Sequence, residues 1–339
     1  MQHRSSPLAR RRRLGVLVIG AVILIGLFVS IVVGTRDISP ATAVDALFRF
    51  DQTNSEHLLV VLQRIPRTLL AVVVGICLGI AGAIMQALTR NPLAEPGILG
   101  VNAGAAVAIA CGISFFGITD VTGYMWLGML GAAVTAAAVY LLGGVRRGTN
   151  PVRLVLAGAA LTVVLMSLTQ LVLINGEESV FDRYRHWMVG SISGRGYDVL
   201  IVTAIVAATG VALAALLARP LDSAMLGEDL SRSLGANPTR IWLVAGLVVV
   251  LLAGAATAAA GPIAFLGLAA PHLARLLVGV DHRWVLPYSA LIGAALMVVA
   301  DILGRAIPAT GEIGVGIMVA VLGGPFFVIL VRRRRMAQL

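Results

Sequence analysis

The chain of 339 residues is 59% hydrophobic and 12% charged, with a mean hydropathy of +0.96 and a formal net charge of +10. Soluble domains carry roughly 25% charged residues, so the composition describes a polytopic membrane protein and excludes a soluble globular chain. All 26 basic residues are arginine; without lysine there can be no Walker A ATPase site, whose lysine reaches the nucleotide phosphates, and no Schiff base.

The first predicted element is a span at 14–34, behind the basic run Arg10 to Arg13. It could pass for a signal peptide, but an uncharged run of about 21 residues matches a ~30 Å hydrocarbon core and no clear small-x-small cleavage site follows, so the span is read as retained. Further spans are predicted at 65–87, 98–118, 123–145, 154–174, 199–218, 241–260, 263–279, 285–303 and 313–331. The eighth is interrupted by Pro271, His272 and Arg275, leaving a helix of ~25 Å at 1.5 Å per residue. Such short helices survive in a membrane when packed in protein or lining a cavity. Cys77 and Cys111 lie in apolar runs and read as small buried hydrophobes; no Cys/His set shows zinc spacing.

Ten spans put both termini on one side. Placing them in the cytoplasm leaves a net charge of +13 on the inner segments and −3 on the outer ones, as the positive-inside rule requires. The basic N-terminus is then a topology signal rather than a nucleic-acid patch. The longer outer segments, 35–59 and 175–198, carry apolar residues at helical spacing and are predicted to hold interfacial helices. On the inner side the polar island ARPLDSAMLGEDLSRSLGANPTR (218–240) separates two apolar flanks. Within this loop Leu226, Leu230 and Leu234 recur every fourth residue, and Gly235 stands where a helix would stop. No separate soluble domain is visible, so residues 1–339 read as one transmembrane domain.

Six ordered stretches carry a resemblance: RIPRTLLAVVVGICLGIAGAIMQALTRNPLAEPGILGVNAGA (64–106), PVRLVLAGAAL (151–161), the island itself, GPIAFLGLAAPHLARLLVGVDHRWVLP (261–287), ADILGRAI (300–307) and GGPFFVILVRRR (323–334). Together they resemble the FecCD/BtuC-like permease subunits of bacterial ABC importers for iron siderophores, haem and cobalamin. TRNPLAEPGILGVNAGA and VGVDHRWVLP are most similar to the ferric-enterobactin type. The resemblance implies an all-α polytopic fold of about ten transmembrane helices, the type II ABC importer permease fold, in the bacterial cytoplasmic (inner) membrane. It implies a second, different permease subunit, two copies of an ABC ATPase and an extracytoplasmic siderophore-binding protein. ATP and Mg belong to the ATPase, so this chain is expected to hold no cofactor, no metal and no catalytic residue, and to move a catecholate-type ferric siderophore by alternating access.

By the same resemblance Leu226, Gly227, Glu228, Leu230, Ser231, Leu234 and Gly235 form coupling helices seated in a cleft of the ATPase. Arg64, Arg67 and Arg305 receive carboxylates of the binding protein, and Asn91, Pro92 and Leu93 form the cytoplasmic gate. The residues alone leave other readings open. The island could be an amphipathic helix lying on the membrane. The arginines could be snorkelling anchors rather than bidentate partners of carboxylates, and NPL could be a tight turn ending two helices. Pro66 suits a helix start, with Arg64 and Arg67 on one helix face. His272 reads as a structural histidine at a helix end, and Glu95 and Asp301 as pairing or capping groups near span ends. Gly314, where many members of the family carry proline, predicts a looser start to the tenth span. A secondary transporter would need acids at mid-span, and an intramembrane enzyme would need paired carboxylates or a nucleophile constellation; the spans show neither.

Overall fold

The computed structural model describes residues 7–34, 36, 38–118, 120–143, 151–233, 235–308 and 311–336. Fourteen α-helices are found among them. In chain order they are α1 (Pro7–Val32), α2 (Pro40–Phe48), α3 (Ser55–Leu59), α4 (Ile65–Thr89), α5 (Val101–Phe116), α6 (Val121–Leu142) and α7 (Pro151–Ile174). Then follow α8 (Glu178–Met188), α9 (Tyr197–Met225), α10 (Glu228–Ser233), α11 (Pro238–Ala260), α12 (Leu266–Val278), α13 (His282–Ala306) and α14 (Val315–Met336).

Each of the ten predicted spans coincides with one of these helices. Seven of the helical segments are long and apolar enough to cross a membrane, while α5, α12 and the apolar part of α14 are shorter. Helices α2, α3 and α8 occupy the two segments expected to hold interfacial helices. On α8 the buried Val180, Tyr184 and Trp187 recur at four- and three-residue spacing, and Arg183 and Arg185 face outward.

The membrane segment built on α4 is the centre of the bundle: 78% of its apolar window is buried, against 6% for α1 at the periphery. Close approach comes from glycine. A Cβ on Gly75 or Gly79 would overlap the backbone of Gly293, Ala294 or Ser289 on α13, and one on Gly82 would overlap Gly267 on α12. Between membrane helices there is little hydrophobic drive, so such small residues let dispersion and backbone contact hold the helices together.

Four expectations are corrected. The second span does not start at Pro66. Its helix begins at Ser55, capped by Asn54 Oδ1 accepting the Glu56 N–H at 2.9 Å, and reaches α4 through a π-turn at Val60–Arg64. The wider turn carries the chain past a proline that lacks its own N–H. Second, the polar island is not a loop from its first residue, because α9 continues through Pro220 to Met225. Third, His272 lies inside α12, edge-on to the Phe326 ring at 5.9 Å, and not at a helix end. Fourth, Gly314 does not loosen the tenth span: a Cβ there would meet Val189 and Gly190 within 3.0 Å, and the Gly316 N–H donates to the Gly190 carbonyl at 2.9 Å. The absent side chain lets the 189–190 turn seat against the start of α14.

The eighth span is helical from Leu266 to Val278 and passes unbroken through Pro271, His272 and Arg275; the irregular backbone lies before that helix. Helix α11 ends at Ala260, Gly261 takes φ of +78°, and residues 261–265 join it to α12 without regular structure. Gly261 and Ile263 are buried in protein, which is where irregular backbone is tolerated at membrane depth.

Candidate functional site

Polar chemistry gathers at the two ends of the bundle. At one end, Arg67 at the start of α4 faces Asp301 and Arg305 on α13 and Glu312 just before α14. Arg67 donates from Nε and Nη2 to Asp301 Oδ1 at 3.0 and 2.8 Å, and from Nη1 to Glu312 Oε2 at 2.7 Å. The other oxygen of Asp301 meets Arg305 Nη2 at 2.8 Å. Arg305 also donates to the carbonyls of Ser30 and Val33 at 2.9 and 2.7 Å and to Ser30 Oγ at 2.6 Å. Arg64 donates to the carbonyls of Ile31 and Val32, each at 2.6 Å, and to that of Arg36.

Two of the three expected docking arginines thus have a second employment. The end of α1 presents unsatisfied carbonyls, and Arg64 and Arg305, 6% and 5% exposed, satisfy them. Arg64 and Arg67 are close in sequence but serve different neighbours, α1 and α13. The expectation that Asp301 pairs near a span end holds, since it carries two arginines at once. Beside the cluster lies a cavity of about 350 Å³ lined by Gln63, Arg64, Arg67, Arg195, Arg305 and Glu312, among others. Sequence reasoning missed Arg195. It donates to the Tyr124 hydroxyl at 2.5 Å and lies over that ring at 5.6 Å from its centroid. Its flanking glycines, in SGRGYD, were the available signal.

At the other end α9 terminates at Leu226, and Gly227, with φ of +103°, turns the chain into the short helix α10. A left-handed φ of this size favours glycine. Leu226 and Leu230 are 54% and 50% exposed, so the expected leucine ridge is split over two helices joined by Gly227. Ser231 is buried, and its N–H donates to the Gly227 carbonyl at 3.0 Å. Gly235 has φ of +79°, the expected helix stop. Leu234 and the side chain of Glu228 lie outside the described residues.

The NPL turn lies at the same end. Arg90 takes a left-handed conformation, φ +49°, and Asn91 Oδ1 accepts the Leu93 N–H at 2.9 Å, an Asx turn in which the amide closes its own loop. Leu93 is exposed. A few residues on, the Glu95 carboxyl lies beside the backbone N–H of Phe265, just before α12. Burial pushes that carboxyl above the usual range, with the Phe265 N–H working against the shift. Phe265 has φ of +67° and packs edge-on against Phe327 of α14, with ring centroids 6.1 Å apart. Gln86 donates to the Gly267 carbonyl at 3.4 Å and accepts from Arg275. Among the described residues no group of His, Cys, Asp and Glu is placed to hold a metal ion.

A bundle of apolar helices, built around close glycine contacts and with its charges at two ends, defines the class: a multi-pass membrane protein. The chain belongs to the FecCD transport family, whose model matches residues 22–333. It is 43% identical over 92% of its length to the Bacillus subtilis (strain 168) protein named "Probable siderophore transport system permease protein YfiZ", 93% of which is covered. It is 41% identical over 97% of its length to the ferric enterobactin transport system permease protein FepD of Escherichia coli (strain K12), 98% of which is covered. Among solved structures, a metal-chelate type ABC transporter in an inward-facing conformation is similar with a TM-score of 0.82 and 27% identity, covering 95% of this chain and 99% of that one. The fold is that of a type II ABC importer permease.

Proposed function

We propose that this chain is the membrane half of an ATP-driven importer that carries a ferric siderophore, of the catecholate type, across the bacterial cytoplasmic membrane by alternating access. The observation that carries the proposal is the near full-length similarity, at 43% and 41% identity, to permeases named for siderophore and ferric enterobactin transport. In this reading the whole chain is one permease domain, both termini are cytoplasmic and the Arg67 end faces outward. It pairs with a second, different permease subunit. ATP and Mg are bound by two copies of a separate ATPase, since a chain without lysine cannot build a Walker A site.

Leu226, Gly227, Glu228, Leu230, Ser231, Leu234 and Gly235 form the ATPase-facing coupling segment, supported by two half-exposed leucines in a segment outside the spans. Arg67, with Arg64 and Arg305 behind it, sets a positive register for carboxylates of the binding protein. Arg67 is the member with reach: it stands at the cavity edge, and a partner's carboxylate would compete there with Glu312. Asn91, Pro92 and Leu93 are assigned to the cytoplasmic gate, with exposed Leu93 as the narrowing side chain.

The test is uptake in proteoliposomes holding this chain with its partner permease, ATPase and binding protein. The reading expects ATP-dependent uptake of iron as a ferric catecholate, and none of haem or cobalamin. Import of haem or cobalamin instead would overturn the siderophore assignment. Uptake driven by a proton or sodium gradient without the ATPase would make the protein a secondary transporter.

A further inference from the structure

Helices α9 and α13 are tied together at the Leu230 end by a pair of hydrogen bonds that no role assigned above uses. Asp222 lies on the continuation of α9 beyond the membrane span, one helical turn before Leu226. Its Oδ1 accepts the backbone N–H of His282 at 3.1 Å and the Nδ1–H of the same residue at 2.6 Å. A carboxylate can only accept, so Nδ1 carries the proton. His282 is fully buried, and its Nε2 has no hydrogen-bond partner among the described residues. Asp222 is therefore the group that holds the ring.

Local structure does not demand this contact. The two residues are 60 positions apart. The start of α13 already has its own cap, because Asp281 Oδ1 accepts the Arg283 N–H at 3.0 Å. The Asp222 bonds are an additional link between two helices rather than a requirement of either.

Each end of the link leads somewhere. On the α9 side, Asp222 follows the fully buried Leu221 and stands one helical turn before Leu226, so a push on Leu226 reaches it directly and a push on Leu230 reaches it through the Gly227 turn. On the α13 side, the helix runs for 25 residues, or about 37 Å at 1.5 Å each, and its far end carries Asp301 and Arg305. The Gly75–Gly293 and Gly79–Ser289 backbone contacts join α13 to α4, which carries Arg67. Close backbone packing of this kind leaves little room for one helix to slide on the other.

We propose that Asp222 and His282 are positioning residues for transport, a latch that passes displacement of the coupling segment to α13 and through it to the arginine cluster at the opposite end. The inference rests on the reading of α10 as the ATPase-facing element. It adds a route by which that element moves the membrane helices.

The test uses the reconstituted complex, with ATP hydrolysis and ferric-catecholate uptake measured in the same vesicles and expressed as uptake per ATP. Asp222→Ala is expected to leave hydrolysis within about two-fold and lower uptake per ATP by about ten-fold, the scale expected for losing a hydrogen bond to a charged group. His282→Phe keeps the buried ring volume and the backbone N–H while deleting the Nδ1–H donor, and serves where Asp222→Ala does not assemble; it is expected to lower the ratio in the same direction. His282→Asn, which places an amide N–H near the Nδ1 position, is expected to restore the ratio. An unchanged ratio in assembled Asp222→Ala or His282→Phe overturns the latch. So does a parallel fall in hydrolysis and uptake, which marks a purely structural contact. Wild-type complex that hydrolyses ATP but imports nothing refutes the proposed function instead, and the two failures are distinguishable.

Discussion

At the Arg67 end of α13 charged side chains are folded into the protein against one another, whereas at the Leu230 end apolar side chains stand exposed beside a glycine turn. The Asp301 and Arg305 side chains are 1% and 2% exposed, while Leu226 and Leu230 are 54% and 50% exposed. Charges are rarely buried unless paired, as these are, and leucines exposed outside the spans offer apolar surface to a partner. The first is a finished structure whose groups satisfy one another. The second is unfinished within this chain, and its left-handed glycines, Gly227 and Gly235, set α10 apart from the helices on either side. The difference teaches where to look for a partner: internal pairing leaves Arg67, at the cavity edge, as the group within reach of the proposed binding protein, and exposure leaves Leu226 and Leu230 available.

The sharpest way to break this comparison is to remove the charge that closes the Arg67 end. Asp301→Ala leaves the buried Arg305 guanidinium without its carboxylate and Arg67 with Glu312 alone, a loss of about 3–5 kcal/mol. We expect little monodisperse permease on size exclusion, and a variant that purifies and melts like wild type would show that the cluster is not structural. Next is Gly79→Val, which drives a branched side chain into the Ser289 backbone, an overpacking worth about 1–3 kcal/mol or more. Its control is Gly324→Ala, which meets nothing within 4 Å and is expected to leave the melting temperature unchanged.

A smaller effect is expected at Glu95. Burial raises its carboxyl pKa, so the folded protein binds that proton more tightly than the unfolded chain does. The sign follows: stability is greatest below the ordinary carboxyl range and falls as pH rises through the interval up to the raised value. Glu95→Gln removes this contribution, and melting temperatures measured from about pH 4 to about pH 7 should then lose part of their downward slope. An identical slope in wild type and variant would contradict the buried setting of Glu95.

How much of this was legible in the sequence follows from the range of each interaction. Hydropathy located ten apolar helices, seven of them long enough to span, because a helix in lipid must be apolar along its own length. Pro271 and Arg275 suggest an interruption of the eighth, yet α12 runs through both and the irregular backbone lies before it, at 261–265. The exposed leucines of the island were visible as a local four-residue repeat. What stayed hidden depends on contacts between distant residues. Nothing near Arg64 announces that it caps α1, nothing near Asp222 announces His282, and Gly79 reads as an ordinary glycine until Ser289 is set against it. Pro66 misled because the helix starts at Ser55, eleven residues before the proline, and passes into α4 through a π-turn.

Smallest in stability, and most direct for the central claim, is Leu230→Asp. A half-exposed leucine on a six-residue helix contributes little to folding, so the variant should melt within about 0.5 kcal/mol of wild type. Reconstituted with its partner subunits, it is expected to lose ATP-dependent ferric-siderophore uptake and to release the ATPase on purification, because a charge has entered the apolar contact. Wild-type uptake with the ATPase still bound would contradict the assignment of α10 as the coupling element.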